Sequence, residues 1–296
     1  MDIRNALLAG LSAALLAVAS PAQTRFACLT PASEDCQLAA DGSDPNTRDV
    51  DTSIPDEPPA ATASTSRDDG TFLTRVFKRG MQDQKGLYTA PFKASSLKWD
   101  IPFLAGTGAF LATDRRIEKH LPDGHFQLYQ NSSNIALGGL AASAAGIWVY
   151  GIKTQNPHAK ETGELALETA ANTFLIYAPM QLIAGRDRPG EGNGKGDFLQ
   201  HHALNTSFPG GHAMFTWGMA SVIAHEYPKP WVKTLAYGAA LTVTASRFLA
   251  RRDHWSSDMF VGSALGFAIG TNIFHAHCDP ELSPSCHHHT RRKDLP

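Results

Sequence analysis

The sequence predicts an all-α protein, a bundle of about six helices, from three observations. Apolar stretches of about 12 to 18 residues alternate with polar or Gly/Pro-rich connectors. None of these stretches has the period of two that is typical of a half-buried strand. Gly and Ala are frequent in them, which lets helix axes approach closely. The stretches are Ile101–Thr113, Ile135–Ile152, Ala170–Ala184, Ala213–Ala224, Thr234–Ser246 and Met259–Phe274.

The composition narrows the function classes. A chain of 296 residues with 43% hydrophobic residues is long and apolar enough to form a sizeable core. Its formal net charge of −2 excludes a strongly basic nucleic-acid-binding surface, so we expect no nucleic-acid partner.

Residues 1–22 are interpreted as a signal peptide. Arg4 supplies a positive n-region, Ala6–Ala19 is apolar, and Ser20 and Ala22 are the small residues that signal peptidase requires before its cut. The alternative is an uncleaved N-terminal anchor, although the apolar run is shorter than the ~20 residues that a span needs. The prediction is an exported protein, either periplasmic or membrane-associated.

Residues 23–70 are predicted to be a disordered acidic linker, because they are rich in Pro, Ser, Thr, Ala and Asp and have no helical or strand period. Their excess of acidic residues leaves the rest of the chain mildly basic, which suits an anionic ligand. The helical domain is expected over residues 71–276. A C-terminal tail is expected over residues 277–296, and its basic segment, residues 287–293, is expected to lie in solvent.

The four cysteines fit export, since an even count in an exported chain suggests disulfides. Cys28 and Cys36 are closely spaced, and so are Cys278 and Cys286. Two local loops or a link between the two tails both remain open.

Membrane insertion also remains open at this stage. Most apolar stretches are shorter than the ~20 residues that a span needs, and Ile135–Ile152 is the one credible span. A soluble or membrane-peripheral bundle is slightly favoured over an integral membrane protein.

Three segments concentrate residues that can hold and cleave a phosphate: residues 185–189 (GRDRP), residues 207–212 (SFPGGH), and Ser246-Arg247 followed by residues 254–258 (HWSSD). Gly210 and Gly211 precede an apolar run, so their amides are expected at a helix N-terminus, where anions bind. Arginines offer planar forks of donors to phosphate oxygens. His254 and Asp258 are four residues apart and would share a helix face, so that the carboxylate accepts from one imidazole nitrogen.

In order and spacing, these segments resemble the signature of the type 2 phosphatidic acid phosphatase and vanadium-dependent haloperoxidase superfamily. That signature is Lys, six residues, Arg-Pro; then Pro-Ser-Gly-His; then Ser-Arg, five residues, His, three residues, Asp. Three positions depart from it: Gln181 replaces the lysine, Gly210 replaces the serine, and six residues separate Arg247 from His254. The extra residue leaves open whether Arg251 or Arg252 takes the place of Arg247.

The resemblance implies a helical fold and a role for each matched residue. His254 would be the nucleophile that forms a phosphohistidine, Asp258 would orient it, and His212 would protonate the leaving oxygen and then activate water. The implied phosphate-binding residues are Arg188, Arg247, Gly210, Gly211 and Gln181. No metal and no other cofactor is implied, because arginines supply the positive charge. Arg186 and Asp187 are interpreted as an exposed local pair.

The hypothesis is therefore an exported phosphatase that acts on a phosphate monoester, with a lipid phosphate as the expected substrate and with peripheral membrane contact. Two alternatives stay open. A non-catalytic phosphate-binding relative is suggested by Gln181 and Gly210. A vanadate-dependent haloperoxidase would use the same pocket.

Overall fold

The computed structural model describes residues 72–122 and 124–286, and they form a bundle of α-helices. Within these ranges there are seven α-helices, no strand, and two short 3-10 turns at Ala90–Phe92 and Ala94–Ser96. The predicted all-α class is confirmed. The predicted signal peptide, the whole acidic linker with Cys28 and Cys36, and residues 287–296 of the predicted tail lie outside the described residues. The helices are α1 Phe72–Thr89, α2 Leu97–His120, α3 Phe126–Thr154, α4 Pro157–Ala184, α5 Gly211–Glu226, α6 Pro230–Leu249 and α7 Ser256–His277.

Helices α2 to α7 contain the six apolar stretches, and α1 is the helix that the apolar stretches did not include. Several helices are longer than their apolar stretches, because capping residues and prolines start the helix before the apolar residues begin. Helix α4 starts where Pro157 occupies the first turn and the side chain of Asn156 accepts a hydrogen bond from the Ala159 amide at 3.0 Å.

Helix α5 is the most buried helix and packs against both core clusters. One cluster joins it to α3 and α6 through residues such as Leu140, Met219 and Ala240. The other joins it to α4 and α7 through Leu165 and Ile273. A central helix with so little exposure holds its first turn in a fixed position relative to α7.

Glycines on α7 allow its close approach to α5. A Cβ atom added to Gly266 would lie 2.1 Å from the Met214 carbonyl oxygen, and one added to Gly262 would lie 2.4 Å from that of Gly210. One turn later, a Cβ atom added to Gly270 would make the same close contact with the carbonyl oxygen of Gly218. Because backbone atoms cannot swing aside, side chains at these positions would push the helices apart.

The disulfide between Cys278 and Cys286 closes a short turn directly after α7. Both cysteines are buried and belong to the core cluster of α4, α5 and α7. Of the pairings that the sequence left open, the local one is therefore supported for Cys278 and Cys286.

Two of the described helices, α3 and α7, are long and apolar enough to cross a membrane by length and composition. Within those apolar windows, 22% of α3 and 44% of α7 is buried. Large apolar side chains are also exposed elsewhere, including Phe92, Trp99 and Leu104. Such a surface is typical of contact with lipid or with another apolar partner.

We predict that Gly266→Ala lowers the free energy of unfolding by about 1–3 kcal/mol, because the new methyl group collides with backbone. Gly238 is the matched control: it is exposed on α6, and an added Cβ meets nothing within 4 Å. Gly238→Ala should stabilise the protein by roughly 0.5–1 kcal/mol through helix propensity. Urea unfolding of both variants measures the difference, and a Gly266→Ala variant as stable as wild type would contradict this packing.

Candidate active site

The polar residues of the three motifs meet at one end of the bundle. Helix α5 begins at Gly211, as the sequence predicted, and His212 is its second residue. Arg247 lies in the last turn of α6, and His254 lies in the loop before α7. Arg188 belongs to the loop that joins α4 to α5. Four separate segments therefore supply two imidazoles and two guanidinium groups to one region.

Arg247 is buried, and all of its nitrogens have partners. Its Nη2 donates to His212 Nε2 at 2.6 Å and to the Asn134 side chain at 2.7 Å. Its Nε donates to the Ser133 hydroxyl at 2.9 Å, and its Nη1 donates to Asp253 Oδ2 at 2.9 Å. The sequence left open which arginine takes this place, and in the structure Arg247 contacts His212. Arg251 instead lies 3.7 Å from Glu118.

Arg188 brings a second guanidinium group to the second imidazole. Its Nη1 lies 3.4 Å from His254 Nε2 and donates to Asp253 Oδ1 at 2.5 Å. Asp253 thus bridges the two arginines, and each arginine contacts one of the two histidines. This arrangement can hold one oxyanion between His212 and His254.

The tautomer of His254 is set by a backbone carbonyl. Its Nδ1 lies 2.9 Å from the Ser207 carbonyl oxygen, which can only accept a hydrogen bond. Nδ1 therefore carries the hydrogen, and Nε2, on the Arg188 side, keeps its lone pair. An imidazole held in this way is suited to attack phosphorus through Nε2.

Asp258 does not orient His254 directly, which differs from the role that the resemblance implied. Its Oδ2 lies 3.8 Å from His254 Nδ1, too far for a hydrogen bond. The assumption of a shared helix face was wrong, because His254 precedes α7 and Asp258 lies in its first turn. Asp258 accepts hydrogen bonds from the Ser207 hydroxyl and, at 2.8 Å, from the Trp255 amide. It therefore acts through Ser207, whose carbonyl holds His254.

Arg186 is a buried residue of this network, and the interpretation of it as an exposed local residue was wrong. Only 3% of it is exposed. It donates to Asp258 at 2.6 Å and to Asp114 of α2 at 2.8 Å. Asp114 also accepts from the Ser257 amide at 3.0 Å. The Arg-Asp-Arg-Pro spacing already contained this second arginine, but its partner on α2 lies 72 residues away.

Gln181 and Gly210 make structural contacts in place of the expected phosphate contacts. The fully buried Gln181 donates to the Pro209 carbonyl at 3.0 Å and accepts from the Thr206 amide at 2.7 Å. The Gly210 amide donates to the Asp258 carbonyl at 3.0 Å. Gln181 therefore fixes the loop before α5, and Gly210 joins that loop to α7. Gly211 remains the first residue of α5, at the helix N-terminus where the sequence expected an anion.

A serine at position 210, as in the superfamily signature, would not fit here without rearrangement. A Cβ atom on Gly210 would lie 2.0 Å from Met259 Cε and 3.0 Å from the Asp258 carbonyl oxygen. The methionine tip can move, but the backbone oxygen cannot. The close packing of the loop on α7 therefore explains glycine at this position.

Burial, together with the neighbouring Arg247 and His254, lowers the pKa of His212 to about 4. At neutral pH the ring is therefore neutral. Its Nε2 accepts from Arg247, so the ring hydrogen lies on Nδ1.

A cavity of about 550 Å³ opens beside the site. Arg188 and Asp253 line it, together with Phe126 and the arginines at 251 and 252, whereas Arg247 and the two histidines do not. The cavity is large enough for a substrate headgroup, and Asp253 lies between it and Arg247.

A separate group of potential metal ligands lies on the α4–α5 loop. Ligand atoms of Asp187, Glu191 and His201 lie within 4.8 Å of one another, and His201 Nε2 is 2.9 Å from Asp187 Oδ1. Glu191 and His201 are exposed, and exposed acidic groups of this kind are common without an ion. This group contains neither of the histidines that contact the arginines.

Comparison with known proteins supports the resemblance found in the sequence. Residues 164–279 match the family model of the PAP2 superfamily. This stretch contains all three motifs, so the resemblance of this part of the chain to that superfamily is confirmed. One solved structure that matches is described as the first transmembrane PAP2 type phosphatidylglycerolphosphate phosphatase, from Bacillus subtilis. It is 19% identical, the match covers 68% of this chain and 92% of that chain, and the TM-score is 0.41. The search of curated proteins found no match.

The low pKa of His212 predicts a loss of stability in acid. The pKa in the folded protein is about 4, below the unfolded value of 6.5, so the unfolded chain binds more protons between these pH values. Lowering the pH from 7 to 5 should therefore cost wild type about 1–2 kcal/mol more than His212→Gln, which cannot titrate. Urea unfolding at both pH values measures this difference, and equal losses in the two proteins would contradict a buried, neutral His212.

Proposed function

We propose that this chain is a phosphatase that hydrolyses a phosphate monoester through a phosphohistidine on His254. The observation that carries the proposal is the pairing of each histidine with an arginine: Arg247 with His212, and Arg188 with His254. Both guanidinium groups bind the same carboxylate, which marks the position of an anion between the histidines. The match of residues 164–279 to the PAP2 superfamily model supports the same reaction class.

In the first step, His254 Nε2 attacks phosphorus and the bond from phosphorus to the leaving oxygen breaks. The leaving oxygen takes a proton from His212 and departs as an alcohol. Arg188 and Arg247 stabilise the negative charge on the transferring phosphoryl group. In the second step, His212 takes a proton from water, the hydroxyl attacks phosphorus, and the bond from phosphorus to His254 breaks to release phosphate.

His212 must be protonated for the first step, although it is neutral in the empty site. Its pKa of about 4 reflects burial and the positive charge of Arg247. A bound phosphate brings negative charge to Arg247 and so favours the protonated imidazole. Substrate binding would thereby charge the general acid at the place where it acts.

A lipid phosphate is the proposed substrate class, and an exported, membrane-associated location goes with it. Exposed Trp99 and Leu104 on α2 and the apolar helices α3 and α7 support contact with a lipid surface. The signal-like sequence of residues 1–22 supports export. Phe126 and the arginines of the cavity suit a substrate with an anionic headgroup next to an apolar portion.

We predict that the full-length protein hydrolyses phosphatidic acid or p-nitrophenyl phosphate and keeps this activity in EDTA. His254→Ala should lower kcat by about 10³-fold or more, because the attacking nitrogen is lost. His202→Ala is the control: this histidine is exposed and bonds only to the Leu182 carbonyl among the contacts described. It should keep activity within about twofold.

Three results would contradict the phosphatase proposal in different ways. Full activity in His254→Ala would remove the nucleophile from the mechanism. Bromination that requires vanadate and peroxide, without phosphate hydrolysis, would indicate a haloperoxidase. Binding of inorganic phosphate without turnover of any ester would indicate a non-catalytic phosphate-binding protein.

A further inference from the structure

Asp253 places a carboxylate between the two arginines of the site. Its Oδ1 accepts from Arg188 Nη1 at 2.5 Å, and its Oδ2 accepts from Arg247 Nη1 at 2.9 Å. Only 8% of its side chain is exposed. Carboxylates and phosphates bind guanidinium groups with the same donor geometry. The Asp253 carboxylate therefore imitates two oxygens of a phosphate.

We propose that Asp253 is an internal competitor of the substrate, whose carboxylate must leave the two arginines before a phosphate can bind them. This inference rests on the proposed function, because it assigns Arg188 and Arg247 to the phosphate. Asp253 thereby sets the affinity of the site for phosphate esters. It touches none of the reacting atoms.

The position of Asp253 in the chain is consistent with movement of this kind. It directly precedes His254 and lies in the segment that is one residue longer than the superfamily signature. Its neighbour Arg252 has a positive φ of 76°, so the chain turns sharply just before it. A side chain on a loop can change its rotamer without moving a helix.

The position of the cavity is a second argument that the Asp253 carboxylate must move before a phosphate binds. Arg188 and Asp253 line it, but Arg247, His212 and His254 do not. The carboxylate therefore separates the open space from Arg247 and its histidine. Moving the carboxylate aside would open the cavity toward both histidines and free Arg247 Nη1. It would also free one of the two hydrogens of Arg188 Nη1, which would keep its bond to the Asp253 backbone carbonyl at 2.9 Å.

The charge of Asp253 is maintained in the resting site. Burial alone would raise the pKa of its carboxyl group, but the nearby His254, Arg247 and Arg188 outweigh burial and hold the pKa below its usual value. An ionised carboxylate is thus present at neutral pH to compete with phosphate.

The test measures binding of inorganic phosphate by calorimetry and hydrolysis of p-nitrophenyl phosphate in the full-length protein. Asp253→Asn removes the charge and keeps the shape. It should lower the Kd for phosphate and the KM at least about tenfold. The reason is that a larger fraction of the molecules then has Arg188 and Arg247 free to bind phosphate. Asp253→Glu keeps a competing carboxylate and should stay within about threefold of wild type. Asp253→Ala repeats the test if the asparagine variant folds poorly, with circular dichroism as the check on folding.

Glu191→Gln is the matched control. Glu191 also lines the cavity and lies 4.0 Å from Arg188, but it does not bridge the two arginines. Its loss should tighten phosphate binding by less than about threefold, as expected for an exposed ion pair.

Two results separate the failure of this inference from the failure of the proposed function. If wild type hydrolyses esters but Asp253→Asn binds phosphate equally or more weakly, Asp253 holds the arginines in place and the competitor role is overturned. If wild type and every variant neither bind phosphate nor hydrolyse esters, the proposed function itself fails, and this inference with it.

Discussion

The site depends on a buried cation held between two buried carboxylates. Arg186 bonds to Asp114 from α2 and to Asp258 from α7, and all three side chains are at most 3% exposed. Removing such charges from water is costly, so the arrangement is stable only when every partner is in place. This requirement fixes the first turn of α7 relative to α2 and to the loop that carries Arg186. It therefore determines where the loops that carry Arg188 and His254 can lie.

This network is connected to His254 through Ser207. Asp258 binds the Ser207 hydroxyl, and the Ser207 carbonyl binds His254 Nδ1. On the other side, the glycines of α7 let α5 lie close to it, which holds His212 at the start of α5. The two histidines are thus positioned by separate sets of contacts: hydrogen bonds hold His254, and helix packing holds His212. Electrostatic catalysis requires groups that are already oriented in this way.

Local patterns predicted much of this architecture. The apolar stretches indicated the helices α2 to α7, and the glycines before His212 indicated the start of α5. The first half of α4 gave no apolar signal, because buried polar residues such as Thr162 and Glu168 occupy it. Helix α1 was missed for a related reason, since its sequence is interrupted by charged residues.

The contacts that complete the site could not be predicted, because they join residues far apart in sequence. The partnership of Arg186 with Asp114 has no periodic signal. Arg251 and Arg252 offered the same chemistry as Arg247, and only the packing of α6 distinguishes them. The spacing of His254 and Asp258 suggested a direct contact, but the helix begins between them, at Ser256. The longer segment before His254 was visible in the sequence, yet only the folded loop shows the Asp253 carboxylate between two arginines.

The central claim is that His254 Nε2 attacks phosphorus, and the most direct measurement is the site of covalent phosphorylation. Enzyme mixed with a phosphate ester and quenched within one turnover at alkaline pH, where phosphohistidine persists, can be digested and sequenced by mass spectrometry. The account predicts one phosphate, on His254, and none in the His254→Ala variant. Phosphate on His212, or hydrolysis without any phosphorylated histidine, would contradict it.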